Sequence, residues 1–585
     1  MMRPEYPRPQ LVREKWQNLN GEWDFLIDHG CSGKDRKFYE NADFNMKINV
    51  PFAPESKLSG IEYVDFMKCV WYRRTFTVDS SAFEGRILIH FGAVDYRSEV
   101  WINGVSVGYH KGGYTPFVFD ITDKCNEGEN TVVVYAYDDT RDPLQARGKQ
   151  SEYYYNHGCD YTRTTGIWQT VWLEFVPNVY ISKLRLTPDI DNERLHVVAT
   201  FNKDCEETMT AEASLNGNTV TVQSVKVRGT TAEMFLDIKD PELWSVDSPT
   251  LYDLKLTVGE DVVTSYFGMR KVAIKGYAIE INNKPVFQRL VLDQGYYPDG
   301  IYTAKSEEEL ENDIRLSLDA GFNGARLHEK VFEPRFLYHA DRMGYIVWGE
   351  YPNWGLKIFN DANVVSEILS GWTETVGRDF NHPSIVCWCP FNETWLYKEM
   401  ETGGNLLKTI YNYTKKMDST RPCIDTSGHY HVITDIYDVH DYTQDVEKFS
   451  GYFEALHKTG DFDYEGTDEE RAPFYQRFYK YKKGMPVMVS EYGGIKWDFE
   501  MMKDTNRKIS WGYGEAPETE AEFLERYKGL TECLLANKNI CGFCYTQLYD
   551  VEQERNGIYT YGRKRKFDME IIKSINSREA AIEKE

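Results

Sequence analysis

The stretch "SIVCWCPFNE" (384–393) carries the pattern that decides the fold, an apolar run that ends in an amide and a carboxylate. Charged side chains are almost never fully buried unless they are paired, so Glu393 directly after such a run needs a reason. A short apolar run bounded by polar residues is typical of a strand buried on both faces. The stretch therefore predicts a buried strand whose end opens onto a polar loop.

The same pattern recurs after about residue 275, where strand candidates alternate with helical segments. Eight strand candidates within about 300 residues match the count and size of a (β/α)8 barrel. The active site of such a barrel lies at the C-terminal ends of its strands. The candidates are VFQRLVLD (286–293), NGARLHE (323–329), YIVWGEY (345–351), SIVCWCPFNE (384–393), CIDTS (423–427), IYDVHDY (436–442), PVMVSEY (486–492) and CGFCYTQL (541–548).

Two stretches between these strands, 306–321 and 519–539, have apolar residues at helical spacing and are predicted as amphipathic helices. Ser306 precedes the first of them and Glu309 follows three residues later, which predicts a capping box.

The part of the chain before the barrel reads as short strands separated by turn residues. Residues 1–178 predict a jelly-roll β-sandwich, with a hairpin at Asn103-Gly104 between two alternating runs. Residues 179–274 have the length and even strand spacing of an immunoglobulin-like sandwich. We therefore expect three domains, the last being the barrel at 275–585.

Composition excludes several classes of protein. Of the 585 residues 41% are hydrophobic and 15% aromatic, which excludes a disordered chain. The net charge of −24 repels nucleic acid and anionic membranes, so neither is an expected partner. No apolar run is long enough to span a bilayer, and the N-terminus lacks an apolar signal segment. A soluble cytoplasmic protein is expected, and its eleven scattered cysteines predict reduced thiols.

Two local patterns could hold a redox pair or a metal. Cys541 and Cys544 form a CxxC, but they lie inside a predicted strand rather than at a helix N-terminus, which favours buried cysteines. His429 and His431 have an HxH spacing without further Cys or His nearby, which favours loop residues. We expect neither a metal nor another cofactor.

Ionisable or amide side chains gather at the predicted strand ends. Ordinary solvated loops would not place one after nearly every apolar run. These residues are Asp293, Arg326, His328, Glu329, Glu350, Asn392, Glu393, His440, Asp441, Tyr442, Glu491 and Gln547.

Glu393 and Glu491 end predicted strands 4 and 7, which face each other across a closed eight-stranded barrel. Glycoside hydrolysis with retention uses such a pair about 5–5.5 Å apart, one as acid and one as nucleophile. The acid needs a pKa raised by its surroundings, whereas the nucleophile must stay ionised. Arg326 on strand 2 is the expected partner that keeps Glu491 charged.

The chain resembles glycoside hydrolase family 2, which includes β-galactosidases and β-glucuronidases, over essentially its whole length. The resemblance implies a sugar-binding jelly roll, an immunoglobulin-like domain and a catalytic barrel. It is carried by LNGEWDF (19–25), VWYRRTF (70–76), TTGIWQTVWLE (164–174), FGMRKV (267–272), INNKPVFQR (281–289), NHPSIVCWCPFNE (381–393) and PVMVSEYGG (486–494).

The resemblance implies a role for each matching residue. Glu393 would be the general acid/base and Glu491 the nucleophile, with Asn392 bonding the 2-hydroxyl of the sugar. Tyr442 and Arg326 match residues that contact the nucleophile. Further substrate-binding residues are expected at Asp160, six residues before Gly166 as in the family, and at Asp293, Glu350, His440 and Gln547.

Departures from the family pattern concern the sugar pocket. Asp293 and Gln294 replace a common His-Glu pair, and Pro352 stands where some β-galactosidases have a metal-binding histidine. β-Glucuronidases hold the substrate carboxylate with an Asn-x-Lys pair, whose positions here are Glu554 and Asn556, although Arg555 could compensate.

We therefore expect an exo-acting, retaining β-glycosidase on a neutral sugar, β-galactosides first. β-Glucuronidase and β-galactofuranosidase are alternatives, as is a non-catalytic carbohydrate-binding protein. A carbohydrate is the expected partner, and a homo-oligomer is left open. The long segment 444–485 between strands 6 and 7 is predicted to wall the pocket.

Overall fold

The chain folds into two β-sandwiches followed by a parallel barrel surrounded by helices, and the predicted fold class is confirmed. The predicted domain boundaries after residues 178 and 274 stay predictions. The computed structural model describes residues 3–357, 361–394, 400–428, 431–464, 480–498 and 510–584.

The first sandwich contains a six-stranded and a four-stranded antiparallel sheet. Its strands are β1 (Trp16–Asn18), β2 (Gly21–Ile27), β3 (Met46–Val50), β4 (Cys69–Val78), β5 (Arg86–Phe91), β6 (Val94–Asp95), β7 (Arg97–Ile102), β8 (Val105–Lys111), β9 (Phe117–Asp120), β10 (Gly128–Tyr137), β11 (Gly166–Ile167) and β12 (Val171–Val176). The sheet orders are β3-β2-β4-β10-β7-β8 and β1-β12-β5-β9. The predicted hairpin is confirmed, because β7 and β8 are joined by Asn103 and Gly104, both with positive φ.

The second sandwich has the seven strands of an immunoglobulin-like domain, in sheets ordered β13-β14-β17 and β16-β15-β18-β19. A small sheet, β20-β21-β22, leads into the barrel. These strands are β13 (Ile181–Asp189), β14 (Arg194–Cys205), β15 (Thr208–Leu215), β16 (Asn218–Lys226), β17 (Gly229–Asp237), β18 (Tyr252–Val258), β19 (Asp261–Phe267), β20 (Val272–Lys275), β21 (Ala278–Ile281) and β22 (Lys284–Pro285).

Among the described residues, the barrel contains seven regular parallel strands in the order β26-β25-β24-β23-β29-β28-β27. They are β23 (Gln288–Asp293), β24 (Gly324–Leu327), β25 (Ile346–Glu350), β26 (Ile385–Cys389), β27 (Tyr437–Asp441), β28 (Val487–Gly493) and β29 (Ile540–Thr546). All residues of six of these strands are buried, as are all but one of β25. This agrees with strands that are covered on both faces.

The predicted fifth strand, 423–427, is not a regular strand but still lies between β26 and β27. Parallel bridges join it to the fourth strand at Trp388–Cys423 and at Asn392–Ser427. On its other side the carboxylate of Asp425 accepts hydrogen bonds from the chain that follows, at His431, Val432 and Ile433. A side chain also joins the segment to β27, because Ser427 Oγ donates to Asp438 Oδ2 over 2.8 Å.

Helices alternate with the barrel strands as predicted. They are α1 (Phe38–Asn41) in the first sandwich, then α2 (Glu307–Asp319), α3 (Pro334–Met343), α4 (Ala362–Asp379), α5 (Met400–Met417), α6 (Val446–Tyr452), α7 (Glu454–Thr459), α8 (Glu520–Leu535) and α9 (Met569–Asn576), with 3-10 turns at Ser80–Glu84, Thr122–Lys124 and Ala581–Glu583. The capping box predicted for α2 is wrong. The Ser306 side chain makes no capping hydrogen bond, because its hydroxyl engages Glu308, and Glu309 accepts from the Lys305 amide instead.

The cysteines differ from the prediction at one pair. A disulfide joins Cys31 to Cys69, whose Cα atoms lie 5.4 Å apart, within the range that a bridge spans. The fold brings together two residues that are far apart in sequence, which composition cannot reveal. Nine cysteines are free, and Cys541 and Cys544 are buried in β29 as expected.

Two further predictions from the sequence concern the histidine pair at 429 and 431 and membrane-spanning segments. His431 is bonded to Asp425, which agrees with the loop-residue interpretation, whereas His429 lies outside the described residues. Within the described part of the chain, no helix combines the length and apolar character that crossing a membrane would require.

Candidate active site

The structure brings the two predicted carboxylates together at the C-terminal mouth of the barrel. Glu393 follows β26 and Glu491 lies in β28. One oxygen of each carboxylate and the Nδ1 atom of His440 all lie within 4.8 Å of one another. This spacing approaches the separation of about 5–5.5 Å at which one carboxylate protonates a leaving group while the other attacks.

Backbone irregularities aim these side chains into the mouth. The pairing of β27 with β28 shifts register after Val439, so that His440 comes to lie opposite Glu491. Such bulges re-aim side chains next to active sites. Glu393 has φ of 46°, a conformation that is uncommon for a residue with a side chain, and its amide donates to the Ser427 carbonyl over 2.9 Å.

Glu491 is held at both carboxylate oxygens. Arg326 Nη1 lies 3.1 Å from Oε1, and the Tyr442 hydroxyl donates to Oε2 over 2.5 Å. His440 Nδ1 lies 3.3 Å from the same Oε2 atom. These groups fix the orientation of the carboxylate. Arg326 lies beside it as the sequence predicted and Tyr442 as the resemblance implied, and their roles toward a nucleophile stay predictions.

Glu350 lies in this cluster as a partner of Arg326. Its Oε1 accepts from Arg326 Nε over 2.6 Å, and its Oε2 lies 3.1 Å from His328 Nδ1. Burial alone would raise the pKa of Glu350, but the charge of Arg326 lowers it below its usual value. Glu350 is therefore a carboxylate committed to orienting Arg326, and its predicted contact with substrate stays a prediction.

The charge state of Glu393 differs from the expectation. Burial raises the pKa of this carboxyl, but the hydrogen bond and charge of His440, together with Lys149 and His328, lower it well below the usual value. The hydrogen bond from His440 Nδ1 to Glu393 Oε1 is 2.8 Å long. The raised pKa predicted for the acid is therefore wrong in this structure, where His440 faces the carboxylate.

In the side-chain amide of Asn392, next to Glu393, the oxygen is hydrogen-bonded and the nitrogen is not. Its Oδ1 accepts from Arg326 Nη2 over 3.2 Å. Its Nδ2 is buried and has no hydrogen-bond partner among the residues that the structure describes. A buried, unpaired donor is costly unless something binds it, so the side chain is suited to a substrate hydroxyl.

Two of the predicted binding residues are engaged by protein neighbours. Asp293 accepts from the Tyr549 hydroxyl over 2.5 Å and from the Gly295 amide over 2.9 Å, and burial raises its pKa to about 6. Gln547 Nε2 donates to Asn556 over 2.8 Å. Asp293 is thus placed to fasten the last barrel loop, a role that its position at a strand end did not reveal.

A loop of the first domain, residues 144–162, enters the barrel mouth. Asp160 pairs with Arg147 over 2.5 Å, and its carbonyl accepts from Gln553 Nε2 over 2.9 Å. Asn156 Nδ2 donates to Glu552 over 2.6 Å. The predicted approach of Asp160 to the mouth therefore has a physical basis, because the loop is anchored to the segment after β29.

Lys149 lies on the inner side of this loop and was not found from the sequence. Its side chain is 6% exposed, and its Nζ atom lies 3.5 Å from the ring centre of Trp354. Trp354 Nε1 in turn donates to the Asn392 carbonyl over 3.3 Å. Within the described residues no carboxylate forms an ion pair with Lys149. A single lysine in a loop gives no sequence signal that distinguishes it from a surface residue.

The charges of the pocket nevertheless act on this lysine. Burial lowers the pKa of Lys149, but the nearby Cys159, Glu393, Glu554 and Glu491 raise it above its usual value. The ammonium therefore stays charged in the pocket at neutral pH, where it partly balances the surrounding carboxylates.

Glu554 forms the opposite wall, in the segment after β29. It accepts hydrogen bonds from the Tyr161 hydroxyl of the first domain and from Asn556 Nδ2, the latter over 3.0 Å. Burial raises the pKa of Glu554 to about 7. This residue therefore changes charge near neutral pH, so the charge on this wall of the pocket depends on pH.

The spacing of Glu393, His440 and Glu491 would also suit a small cation. A metal requires a lone pair on the histidine nitrogen, whereas Nδ1 here is hydrogen-bonded to Glu393 and lies 3.3 Å from Glu491. We therefore assign these atoms to hydrogen bonding.

Three family models match consecutive parts of the chain. "Glycosyl hydrolases family 2, sugar binding domain" matches residues 33–177 and "Glycosyl hydrolases family 2" matches 179–270. "Glycosyl hydrolases family 2, TIM barrel domain" matches 272–505. The matches follow one another in the order of the two sandwiches and the barrel.

Individual proteins are similar at lower identity. A putative β-glucuronidase of Formosa agariphila is 28% identical over 348 residues, which cover 57% of this chain and 41% of that protein. A β-galactosidase of Leuconostoc mesenteroides is 27% identical over 451 residues, covering 72% and 40%. This chain therefore spans about two fifths of the length of these curated relatives.

A solved structure extends the likeness of fold to the whole chain. The β-glucuronidase of an uncultured Clostridium species has a TM-score of 0.78 and covers 97% of this chain and 98% of its own. The two sequences are 22% identical, so this likeness concerns the fold.

Proposed function

We propose a function from one premise, which is that this chain belongs to glycoside hydrolase family 2. The proposed activity is that of a retaining, exo-acting β-glycosidase that hydrolyses the O-glycosyl bond of a terminal sugar. The observation that carries it is the approach of Glu393 and Glu491 to within 4.8 Å at the barrel mouth.

In the first half of the reaction, Glu491 attacks the anomeric carbon while Glu393 protonates the leaving oxygen. Arg326 and Tyr442 hold the attacking carboxylate, and Asn392 Nδ2 is placed to bond the 2-hydroxyl, a contact that strengthens as positive charge develops on the sugar. In the second half, Glu393 takes a proton from water, which attacks the anomeric carbon and releases Glu491.

Replacing the nucleophile tests this assignment. Glu491→Gln keeps the size of the side chain but removes the attacking oxygen anion, so kcat on a nitrophenyl glycoside is expected to fall by about 10³-fold or more. The matched control is Glu525→Gln on the exposed face of α8, which should leave kcat unchanged. Equal activity of the two variants would contradict the glycosidase and favour a non-catalytic carbohydrate-binding protein.

For the sugar, we propose a hexuronic acid rather than the neutral sugar expected first. The support is Lys149, a buried ammonium in the mouth without a carboxylate partner in the described part of the chain. A sugar carboxylate would supply that partner. The likeness to proteins named β-glucuronidase, in sequence and in fold, points the same way.

A β-galactoside is the second candidate, and Glu554 favours it. Above neutral pH this carboxylate is ionised and would repel a uronate, whereas it would accept a hydrogen bond from a neutral sugar hydroxyl. The likeness to β-galactosidases in sequence agrees with this candidate.

A panel of nitrophenyl β-glycosides separates the two candidates when it is applied to the wild type and to Lys149→Met. For a uronidase, the glucuronide or galacturonide is the best substrate, and the variant loses about 10- to 100-fold in kcat/KM on it. The variant should change kcat/KM on the galactoside by less than about threefold. The uronide proposal would be refuted if the wild type preferred the galactoside and if Lys149→Met changed kcat/KM equally on both sugars.

A further inference from the structure

His440 contacts the catalytic carboxylates through one ring nitrogen and a buried polar chain through the other. Its Nδ1 lies 2.8 Å from Glu393 and 3.3 Å from Glu491. Its Nε2 lies 2.9 Å from Ser427 Oγ, which in turn donates to Asp438 Oδ2 over 2.8 Å.

The directions of these hydrogen bonds indicate the protonation state of the ring. Asp438 is a buried carboxylate that also accepts from the Ser490 hydroxyl and from the Gly428 amide, so it is an acceptor throughout. A serine hydroxyl has one proton, and the charged carboxylate is a better acceptor for it than an imidazole nitrogen. The His440 Nε2 atom must then donate to Ser427, while Nδ1 donates to Glu393.

Charges on every neighbouring element act on this ring. Glu491 on β28 and Glu393 after β26 favour the imidazolium, as does Asp438 through Ser427. Arg326 on β24 opposes it. Lys149 lowers the pKa of Glu393 and so maintains the anion that favours the imidazolium. The net result is that the pKa of His440 is raised above its usual value although burial lowers it.

Gly428 packs closely against the imidazole ring of His440 and has no side chain that would crowd it. Gly428 has φ of +89°, and a Cβ atom at that position would lie 3.1 Å from both Cε1 and Nδ1 of His440. The position of the imidazole is therefore fixed by a close approach of the segment that closes the barrel.

We propose that His440 is a positioning residue that holds, between turnovers, the proton that Glu393 delivers to the leaving oxygen. The proposal rests on the glycosidase function proposed above and adds to it the source of the proton. Among the residues that the structure describes, no other group donates a hydrogen bond to the Glu393 carboxylate.

The protons balance over one turnover. In the first half, the proton on Nδ1 passes to Glu393, leaving a neutral imidazole, and Glu393 passes a proton to the glycosidic oxygen as the bond to the anomeric carbon breaks and the bond to Glu491 forms. In the second half, Glu393 takes a proton from the attacking water and returns one to Nδ1 as the bond to Glu491 breaks. One proton leaves the pair and one returns, so no other reactant is needed.

The variant His440→Gln keeps a hydrogen-bond donor beside Glu393 but cannot exchange a proton. We expect kcat/KM to fall by about 100-fold on phenyl and alkyl glycosides, whose departure needs protonation. On a dinitrophenyl glycoside of the same sugar, whose leaving group needs no proton, the loss should stay under about threefold. Equal losses on all leaving groups would reduce His440 to a structural role.

The pH profile of kcat/KM on the phenyl glycoside gives a second readout. In the wild type the Glu393–His440 pair keeps its proton up to the raised pKa of the histidine, so the alkaline limb lies at higher pH than in His440→Gln. Ser427→Ala keeps the imidazole but removes the acceptor of Nε2. Its alkaline limb should therefore lie below that of the wild type, but by less than the limb of His440→Gln. A limb at the same pH in all three proteins would overturn the proposal.

These outcomes are separate from those of the proposed function. If the wild type hydrolyses no glycoside in the panel, or if Glu491→Gln is as active as the wild type, the glycosidase itself is refuted. If both hold and the leaving-group and pH differences are missing, only the role of His440 is refuted.

Discussion

At the scale of the residue, the charge of Glu393 is set by side chains that come from other parts of the chain. His440 and Lys149 lower the pKa of this carboxyl, whereas a general acid must carry a proton when the bond breaks. Binding of a uronate at Lys149 would neutralise that cation and so favour protonation of Glu393. His440 and Lys149 can thus link binding of the substrate to protonation of Glu393.

Glu554 should make the choice of sugar depend on pH. A substrate carboxylate is ionised throughout the neutral range, so only ionised Glu554 repels it. Glu554 is neutral below its pKa of about 7 and charged above it. We therefore expect the ratio of kcat/KM for the glucuronide to that for the galactoside to fall as pH rises through about 7.

This ratio is useful because the protonation of Glu393 and His440 affects both substrates alike and cancels. In Glu554→Gln the wall has no charge at any pH, so the ratio should become independent of pH. A ratio in the variant that still falls near neutral pH would place the titrating group elsewhere.

At the scale of the element, the irregular fifth segment of the barrel does more than close the sheet. The Ser427 hydroxyl of this segment lies 2.9 Å from His440 Nε2, and Gly428 approaches the same ring with φ of +89°. A Cβ atom at Gly428 would lie 3.1 Å from Cε1 and Nδ1 of that ring. The backbone of this segment is therefore coupled to the position of the imidazole.

Gly428→Ala tests that coupling. The left-handed φ costs a residue with a side chain about 1–2 kcal/mol, and the new Cβ atom displaces His440. We expect a lower denaturation midpoint and a kcat reduced by about tenfold or more on phenyl glycosides. Gly451→Ala in α6, where a Cβ atom meets nothing within 4 Å, is the control. Full activity of Gly428→Ala would show that the ring tolerates the shift.

At the scale of the whole molecule, the first domain completes the mouth of the barrel. Its loop brings Asp160, Lys149 and Tyr161 to the site and is anchored to the segment after β29. In the proposed glycosidase the barrel therefore supplies the reacting carboxylates, and the first sandwich supplies part of the sugar pocket. We expect the position of the first domain on the barrel to affect specificity.

Gly148→Ala should disturb this arrangement without touching a reacting group. Gly148 has φ of +58°, and a Cβ atom there would lie 2.3 Å from the Glu329 carbonyl, so the loop must move away from the barrel. We expect kcat/KM to fall by about 10²-fold, because small displacements of binding groups have effects of that size.

The control for this prediction is Gly158→Ala in the same loop. Its φ is +50°, but a Cβ atom meets nothing within 4 Å, so it carries the backbone strain without the clash. Circular dichroism and thermal unfolding should show both variants folded. Equal kcat/KM in the two variants would mean that the seating of the loop does not affect the site.

Several parts of this structure could be predicted from the sequence because they depend on local patterns. Apolar runs with a period of two or of 3.6 define the strands and helices, and a polar residue after a buried run marks the end of a barrel strand. That is why Glu393 and Glu491 could be identified as facing each other. The turn at Asn103-Gly104 is equally local, since positive φ at both residues suits these two types.

Other features were decided by tertiary structure alone. The disulfide between Cys31 and Cys69, the contact of His440 with both glutamates and the approach of Lys149 each join segments that are far apart in the chain. The pKa of Glu393 follows from those contacts, because electrostatic effects depend on distance in space and not on position in sequence. The sequence thus determined which groups we propose for the chemistry, and the tertiary structure decided their charges and the walls of the pocket around them.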